Sequence, residues 1–313
     1  MSIQNIFTQL SISAVQAQAR RNGRNKDRFF PWLTVAPAMA IILSLMLYPL
    51  IYNLLVSFKY LTLINFRRGG RFIGLSNYID LFRDSSFYNS LGVSFVYVVL
   101  TVTLQLVLAL IIALFVYRDR PWLRKVTTLG LLLPRMMTPV SAALVWRFML
   151  NYETGIINYL LSLLNIPRLS FLTDPFLAIL SLTVIGVWQH IGFDFLLLVT
   201  GLMAMPNEIL EAAQVDGANW WERLRYVILP VLKPVMVVVI LFGVINSFQV
   251  FDIVYMTTGG GPAGATQVLG IYLYRKLFLA SQFGPSAAIS VVLLFISLLI
   301  SVSLIRVLRR EEL

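Results

Sequence analysis

The sequence predicts an all-α integral membrane protein with about six transmembrane helices and both termini on the cytoplasmic side. Three observations carry this prediction. Of the 313 residues, 58% are apolar and only 12% are charged, against about a quarter charged in ordinary soluble domains. The mean hydropathy is +0.81, so the chain has too little polar surface to cover itself in water. The apolar residues also form long runs without alternation, which excludes the segments of about ten alternating residues that build a membrane barrel. In lipid the backbone must satisfy its own hydrogen bonds, and helices are the remaining way to do so.

A spanning helix needs about 20 mostly apolar residues. Six segments meet that length: residues 31–57, 91–117, 126–150, 176–205, 231–255 and 287–307. Before the first run lie Arg20, Arg21, Arg24, Lys26 and Arg28. That run is too long for the apolar core of a signal peptide. Residues 1–30 are predicted to form a cytoplasmic segment, with Ile3 to Ala19 weakly amphipathic and either resting on the membrane surface or disordered. Residues 31–310 are predicted to form the transmembrane domain.

Orientation follows from the basic residues that flank the runs. Arg118, Arg120, Arg124 and Lys125 crowd the link between the second and third. Arg223, Arg225 and Lys233 lie between the fourth and fifth, and Arg306, Arg309 and Arg310 follow the last. Placing these groups inside satisfies the positive-inside rule. The opposite side still carries Lys59, Arg67, Arg68, Arg71 and Arg83 in its first loop, against Asp80 and Asp84. The net charge of +11 is thus spent on orienting helices, because the basic residues form no single face for nucleic acid. With no cysteine and one histidine, there is no disulfide framework and no material for a thiolate or multi-histidine metal site.

Several polar residues fall inside the spans, where ionisable groups are costly and usually face a cavity or a partner. Arg135 follows Pro134 deep in the third span, whereas Arg147 lies near its outer end and is expected to snorkel. In the fourth span Gln189, His190 and Asp194 cluster with Trp188 and Phe193, with His190 and Asp194 four apart on one face. The fifth carries Asn246, Ser247, Gln249 and Asp252 among Phe248 and Phe251. Amides, hydroxyls and aromatic rings are the groups that bind sugar hydroxyls and stack on sugar ring faces. The same residues could instead serve helix-to-helix hydrogen bonding.

Between the fourth and fifth runs stands Glu211-Ala212-Ala213-Gln214-Val215-Asp216-Gly217, followed by Val227-Ile228-Leu229-Pro230. Pro206-Asn207-Glu208 is expected to open a short helix here, with Glu208 and Glu211 in the first turn favoured by the helix dipole. Gly217 is expected to end or bend it, and Pro230 and Pro234 to begin the next membrane helix. This stretch resembles the EAA loop of ABC importer permeases: Glu-Ala-Ala, three residues, Gly, nine residues, then Ile-x-Leu-Pro, here with Val227 in place of the isoleucine. Leu47 to Asn53, Phe72 to Tyr78 and Met256 to Pro262 are similar to the maltose-permease F-type, or glycerol-phosphate A-type, branch of carbohydrate importers. The resemblance covers about residues 30–310, without the large periplasmic insertion of the enterobacterial maltose subunit.

The resemblance implies a permease subunit in a prokaryotic plasma membrane. A second permease completes the pathway as a heterodimer, two ATPases dock on the cytoplasmic loops, and an extracytoplasmic solute-binding protein delivers a sugar-like solute. The chain has no Gly-rich loop ending in Gly-Lys-Ser/Thr, so ATP and Mg would be bound by the partner ATPases, with no cofactor, metal or catalytic residue in this chain. Glu211, Ala212, Ala213, Asp216 and Gly217 would couple to the ATPase. Arg135, Gln189, His190, Phe193, Asn246 and Gln249 would line the substrate pathway. Gly259-Gly260-Gly261-Pro262 would be an external turn, either a contact for the binding protein or a plain connector. A self-sufficient secondary transporter or channel is the alternative. It would be expected to show repeated halves, and none can be aligned.

Overall fold

A computed structural model describes residues 34–117 and 121–309. The expectations for residues 1–33, the start of the first span included, and for Arg118, Arg120 and Arg310 lie outside the described residues. The chain divides into two compact units, Met1–Leu55 and Val56–Leu313. Residues 34–55, the described part of the first unit, belong to helix α1 (Thr34–Ser57), whose apolar stretch is long enough to cross a membrane.

The second unit opens with a short antiparallel hairpin, β1 (Lys59–Tyr60) and β2 (Arg71–Phe72), in which Lys59 pairs with Phe72. Helix α2 (Ser76–Leu81) follows. The 32-residue helix α3 (Ser85–Val116) starts six residues before the predicted second span. It does so because Asp84 caps it: Asp84 Oδ1 accepts the Ser86 N–H at 2.9 Å, which satisfies one of the free donors at a helix start.

The predicted third span is where sequence and structure part. In place of one helix over 126–150 there are two, α4 (Pro121–Met136) and α5 (Pro139–Met149), bent by 98° at the break. Thr138 caps α5 by accepting the Ser141 N–H at 3.2 Å, and Pro139 occupies its first position, where a missing N–H costs nothing. Pro134 lies in the last turn of α4. The two prolines thus end one helix and begin another, where a single span was expected.

After the short helix α6 (Ile156–Leu163) comes α7 (Pro175–Ala204). It spans almost the residues predicted, with Asp174 as its cap. Next are α8 (Asn207–Val215) and α9 (Trp220–Arg223), which passes through a wider turn over Leu224–Ile228 into α10 (Leu229–Phe248). The fifth span therefore begins near Trp220, not Val231. Pro230 and Pro234 lie within the continuous helix, and Tyr255 belongs to a separate helix, α11 (Asp252–Thr257). In the wider turn Leu229 N–H bonds to Leu224 O, a register five residues back that sets up the chain just ahead of Pro230. Helix α12 (Leu269–Tyr274), a second wide turn over Arg275–Leu279, and α13 (Phe283–Arg309) complete the unit. Across the described residues five helices are long and apolar enough to span a membrane, or six with the bent pair counted as one.

Helix α7 is the axis of the second unit. It packs along α3, α4 and α10, while α5 packs on α11. Its largest core gathers Phe195, Leu198 and Leu202 of α7, Ala109 and Ala113 of α3, and Leu232 and Val239 of α10. Ala109 and Ala113 are fully buried. Small side chains at the seam fit the physics, because lipid tails are as apolar as leucine and helices associate in a membrane through close packing.

Outside the spans one ion pair ties distant elements together. Asp84 Oδ2 accepts from Tyr272 Oη at 2.7 Å and from Lys276 Nζ at 3.0 Å, joining the start of α3 to α12 and the turn beyond it. Burial alone would raise the Asp84 pKa. The bonds from Tyr272, Lys276 and the Ser86 N–H, with the charge of Lys276, outweigh it and lower the pKa from 3.8 to about 2. Burial first, and then the same carboxylate, push the Tyr272 phenol upward. Because the folded pKa of Asp84 is depressed, its contribution to stability is complete above pH 3.8 and lost as pH falls through about 2. Asp84→Asn should lower the melting temperature of the detergent-solubilised chain at neutral pH. The gap to wild type should close between pH 3.8 and about 2; a gap constant over that window would refute this role for the carboxylate.

Candidate substrate pathway and coupling helix

The break between α4 and α5 lies against the middle of α7. Gly192 makes the approach possible: a Cβ on it would lie 2.1 Å from Leu131 O and 2.9 Å from Leu132 N, distances no side chain tolerates. One turn earlier, Gln189 is 2% exposed, and its Nε2 donates to Met137 O at 3.4 Å inside the break. Among the described residues its Oε1 is buried without a hydrogen-bond partner, as are Asp194 Oδ2, Thr101 Oγ1 and Arg223 Nε. Buried polar atoms are rarely left unpaired.

The other predicted pathway residues distribute unevenly. His190 is half-buried, and its Nδ1 donates to Gly186 O at 3.0 Å. A carbonyl can only accept, so the proton sits on Nδ1 and leaves Nε2 for another contact. Arg135, exposed in the last turn of α4, lies within electrostatic range of His190 and Asp194. Phe193 meets Phe242 of α10 edge to face, with centroids 5.6 Å apart. The structure thus brings Arg135, Gln189, His190 and Phe193 to one region around α7. Asn246 and Gln249 are exposed near the end of α10 and make no side-chain hydrogen bond among the described residues. Gln249 caps the helix with φ −88° and ψ 3°.

Arg147 has a definite partner: its Nη1 donates to Met256 O at 3.1 Å, tying α5 to α11. Sequence reading passed over Gln105, 3% exposed in α3, whose Nε2 donates to Gly186 O at 3.3 Å. A lone amide within an apolar run was the available signal. It also passed over a cluster of rings: Phe251, Tyr255, Tyr274 and Phe278 follow one another at centroid distances of 4.9–5.2 Å.

Helix α8 forms where the sequence placed it, but only Glu208 of the two expected glutamates lies in its first turn; because the helix starts at Asn207, Glu211 falls one turn further on. Leu210 is its buried anchor, 2% exposed, while Glu211, Ala212, Asp216 and Gly217 are exposed and Ala213 is half-buried. The helix ends in a Schellman motif, in which Ala218 N–H bonds to Ala213 O at 3.0 Å and Gly217 N–H to Gln214 O at 3.1 Å. Gly217 has φ +82°, the left-handed conformation glycine adopts without cost. Asn219 and Glu222 then form a reciprocal capping box that starts α9. Among the described residues no group of three His, Cys, Asp or Glu side chains comes together to hold a metal.

A set of apolar spanning helices with a broken span, unpaired polar groups at membrane depth and a capped helix between two spans defines a membrane transport permease. Residues 70–310 match the family described as binding-protein-dependent transport system inner membrane component, and the chain belongs to that family. It is 32% identical over 260 residues to the trehalose/maltose transport system permease protein MalF of Thermococcus litoralis, covering 83% of this chain and 87% of that protein. It is 33% identical over 282 residues to the trehalose transport system permease protein SugA of Mycobacterium tuberculosis, covering 90% of this chain and 89% of the relative. Its fold matches a chain from the crystal structure of a bacterial ABC transporter involved in the import of the acidic polysaccharide alginate. There the TM-score is 0.79 at 21% identity, over 93% of this chain and 99% of the other. The chain is therefore an integral membrane transport subunit.

Proposed function

We propose that this subunit forms half of the translocation pathway of an ATP-driven importer for a sugar or sugar-like solute. Oligosaccharides, glycosylated polyols and glycerol phosphate are the candidate classes. The observation that carries the reading is Gln189 at the break between α4 and α5, whose buried Oε1 has no hydrogen-bond partner among the described residues. A solute rich in hydroxyl groups supplies the missing donor, and a hydroxyl can also accept from neighbouring donors. Phe193 offers an apolar ring face nearby, and Arg135, His190, Asn246 and Gln249 complete the polar lining. Relatives named for trehalose and maltose transport support the same substrate class.

Residues 31–310 make up the transmembrane domain, with residues 1–30 as a cytoplasmic segment and both termini inside. The second permease closes the pathway, a solute-binding protein delivers the ligand, and two separate ATPases hydrolyse ATP with Mg. Glu211, Ala212, Ala213, Asp216 and Gly217 on α8 form the ATPase contact. Closure of the ATPase dimer moves α8 and the two spans it joins, giving alternating access by rigid-body motion.

The test is ATPase activity of the assembled complex in lipid, with and without the binding protein, over a panel of sugars. One loaded binding protein should stimulate hydrolysis. Gln189→Leu should lower stimulation by about tenfold, the scale of one lost buried hydrogen bond in a recognition site. Hydrolysis indifferent to the binding protein and to every sugar would favour a self-sufficient transporter.

A further inference from the structure

A second feature of the bundle lies away from the pathway residues. Between the start of α4 and the end of α7 is a groove of about 440 Å³, with Arg124, Lys125 and Thr128 on one wall and Leu196, Thr200 and Met203 on the other. Arg124 is half-buried and Lys125 exposed. Neither forms an ion pair among the described residues. The hydroxyls of Thr128 and Thr200 donate to carbonyls of their own helices, Arg124 O and Leu196 O. The polar end of the groove therefore holds two cations with no carboxylate partner among the described residues. The rest of the lining includes the aliphatic side chains Leu129, Leu196, Val199 and Met203. Trp122, 60% exposed, stands in the first turn of α4, as aromatic residues do at the lipid–water boundary.

We propose that this groove binds one anionic phospholipid. The charge argument selects the headgroup: two cations in the first turns of α4 attract a phosphodiester, and Arg presents a fork that fits phosphate oxygens. The apolar wall selects a lipid over a free anion, because it takes the first methylenes of an acyl chain out of the headgroup region. The location gives the site a consequence. The α7 wall continues through Met205 and Pro206 into α8, so a lipid held here braces the root of the coupling helix against α4.

The experiment is native mass spectrometry of the delipidated full chain in detergent, titrated with phosphatidylglycerol or phosphatidylcholine. Wild type should retain phosphatidylglycerol and not phosphatidylcholine, and millimolar inorganic phosphate should not displace it. Arg124→Gln with Lys125→Gln should weaken retention by about thirtyfold, the effect of two membrane-surface charges. Arg124→Lys with Lys125→Arg should keep it, which separates charge from folding. Thr200→Trp, which fills the groove and leaves both cations, should also weaken it. Equal retention of the two lipids, unchanged retention in the double glutamine variant, or displacement by inorganic phosphate would each overturn the proposal.

Discussion

Gly192→Leu should yield a chain that inserts into the membrane but fails to hold its α4–α7 contact. The Cβ of any side chain at this position meets the backbone of α4, with Leu131 O at 2.1 Å and Leu131 C at 2.5 Å. Backbone atoms cannot rotate away as a flexible side chain would, so the two helices must separate. Overpacking of this kind costs about 3 kcal/mol or more, and here it also draws Gln189 away from Met137 O. The check is thermal stability of the detergent-solubilised chain, followed by the loss of its monodisperse peak on size exclusion. A wild-type melting curve would show that the approach at Gly192 is dispensable. Gly130, where an added Cβ meets nothing within 4 Å, is the control: Gly130→Ala on the same α4 should leave the melting curve in place.

Gly217→Trp should leave insertion and folding intact and uncouple transport. A Cβ at Gly217 meets nothing within 4 Å in this chain, so an added indole projects outward to where the ATPase is proposed to dock. The left-handed φ of +82° adds strain of about 1–2 kcal/mol for a residue with a Cβ. Asparagine tolerates that conformation, so Gly217→Asn separates strain from bulk. With Trp, ATPase docking should weaken by about thirtyfold or more, the factor for losing one interface hot spot. With Asn it should stay near wild type. Measured uptake unchanged in Gly217→Trp would remove α8 from the coupling role.

The two substitutions differ in how far the sequence alone reached them. Gly217 was legible because a helix stop is a local event. Alanines propagate the helix, glycine accepts the left-handed turn, and the spacing to Leu229-Pro230 carries the family resemblance. Gly192 was not legible as a contact. A glycine in an apolar run is compatible with a kink, a close approach or nothing in particular, and only the position of Leu131 on another helix decides among them. The pathway residues fall between these cases. Polar groups within an apolar run were visible in the sequence, and Gln189, His190 and Phe193 share α7 with the charge of Arg135 in range. Asn246 and Gln249 are exposed near the end of α10, and Gln105 was missed because a single amide in a run of leucines and valines carries no periodic signal.

The sequence by itself determined the solvent and the class of fold. With 58% apolar residues in unbroken runs, the backbone had to satisfy itself in lipid, and helices follow from that alone. The apolar run 176–205 also located α7, Pro175–Ala204, almost to the residue. Tertiary structure decided what the remaining prolines do. Pro134 and Pro139 end one helix and start another at 98°, with Thr138 capping the second and Gln189 of α7 donating to the freed Met137 carbonyl. Pro230 and Pro234 leave their helix unbroken, and the turn just ahead of Pro230 shifts to a wider hydrogen-bond register. A proline specifies only that a donor is missing. Whether the chain breaks there depends on partners that distant segments supply.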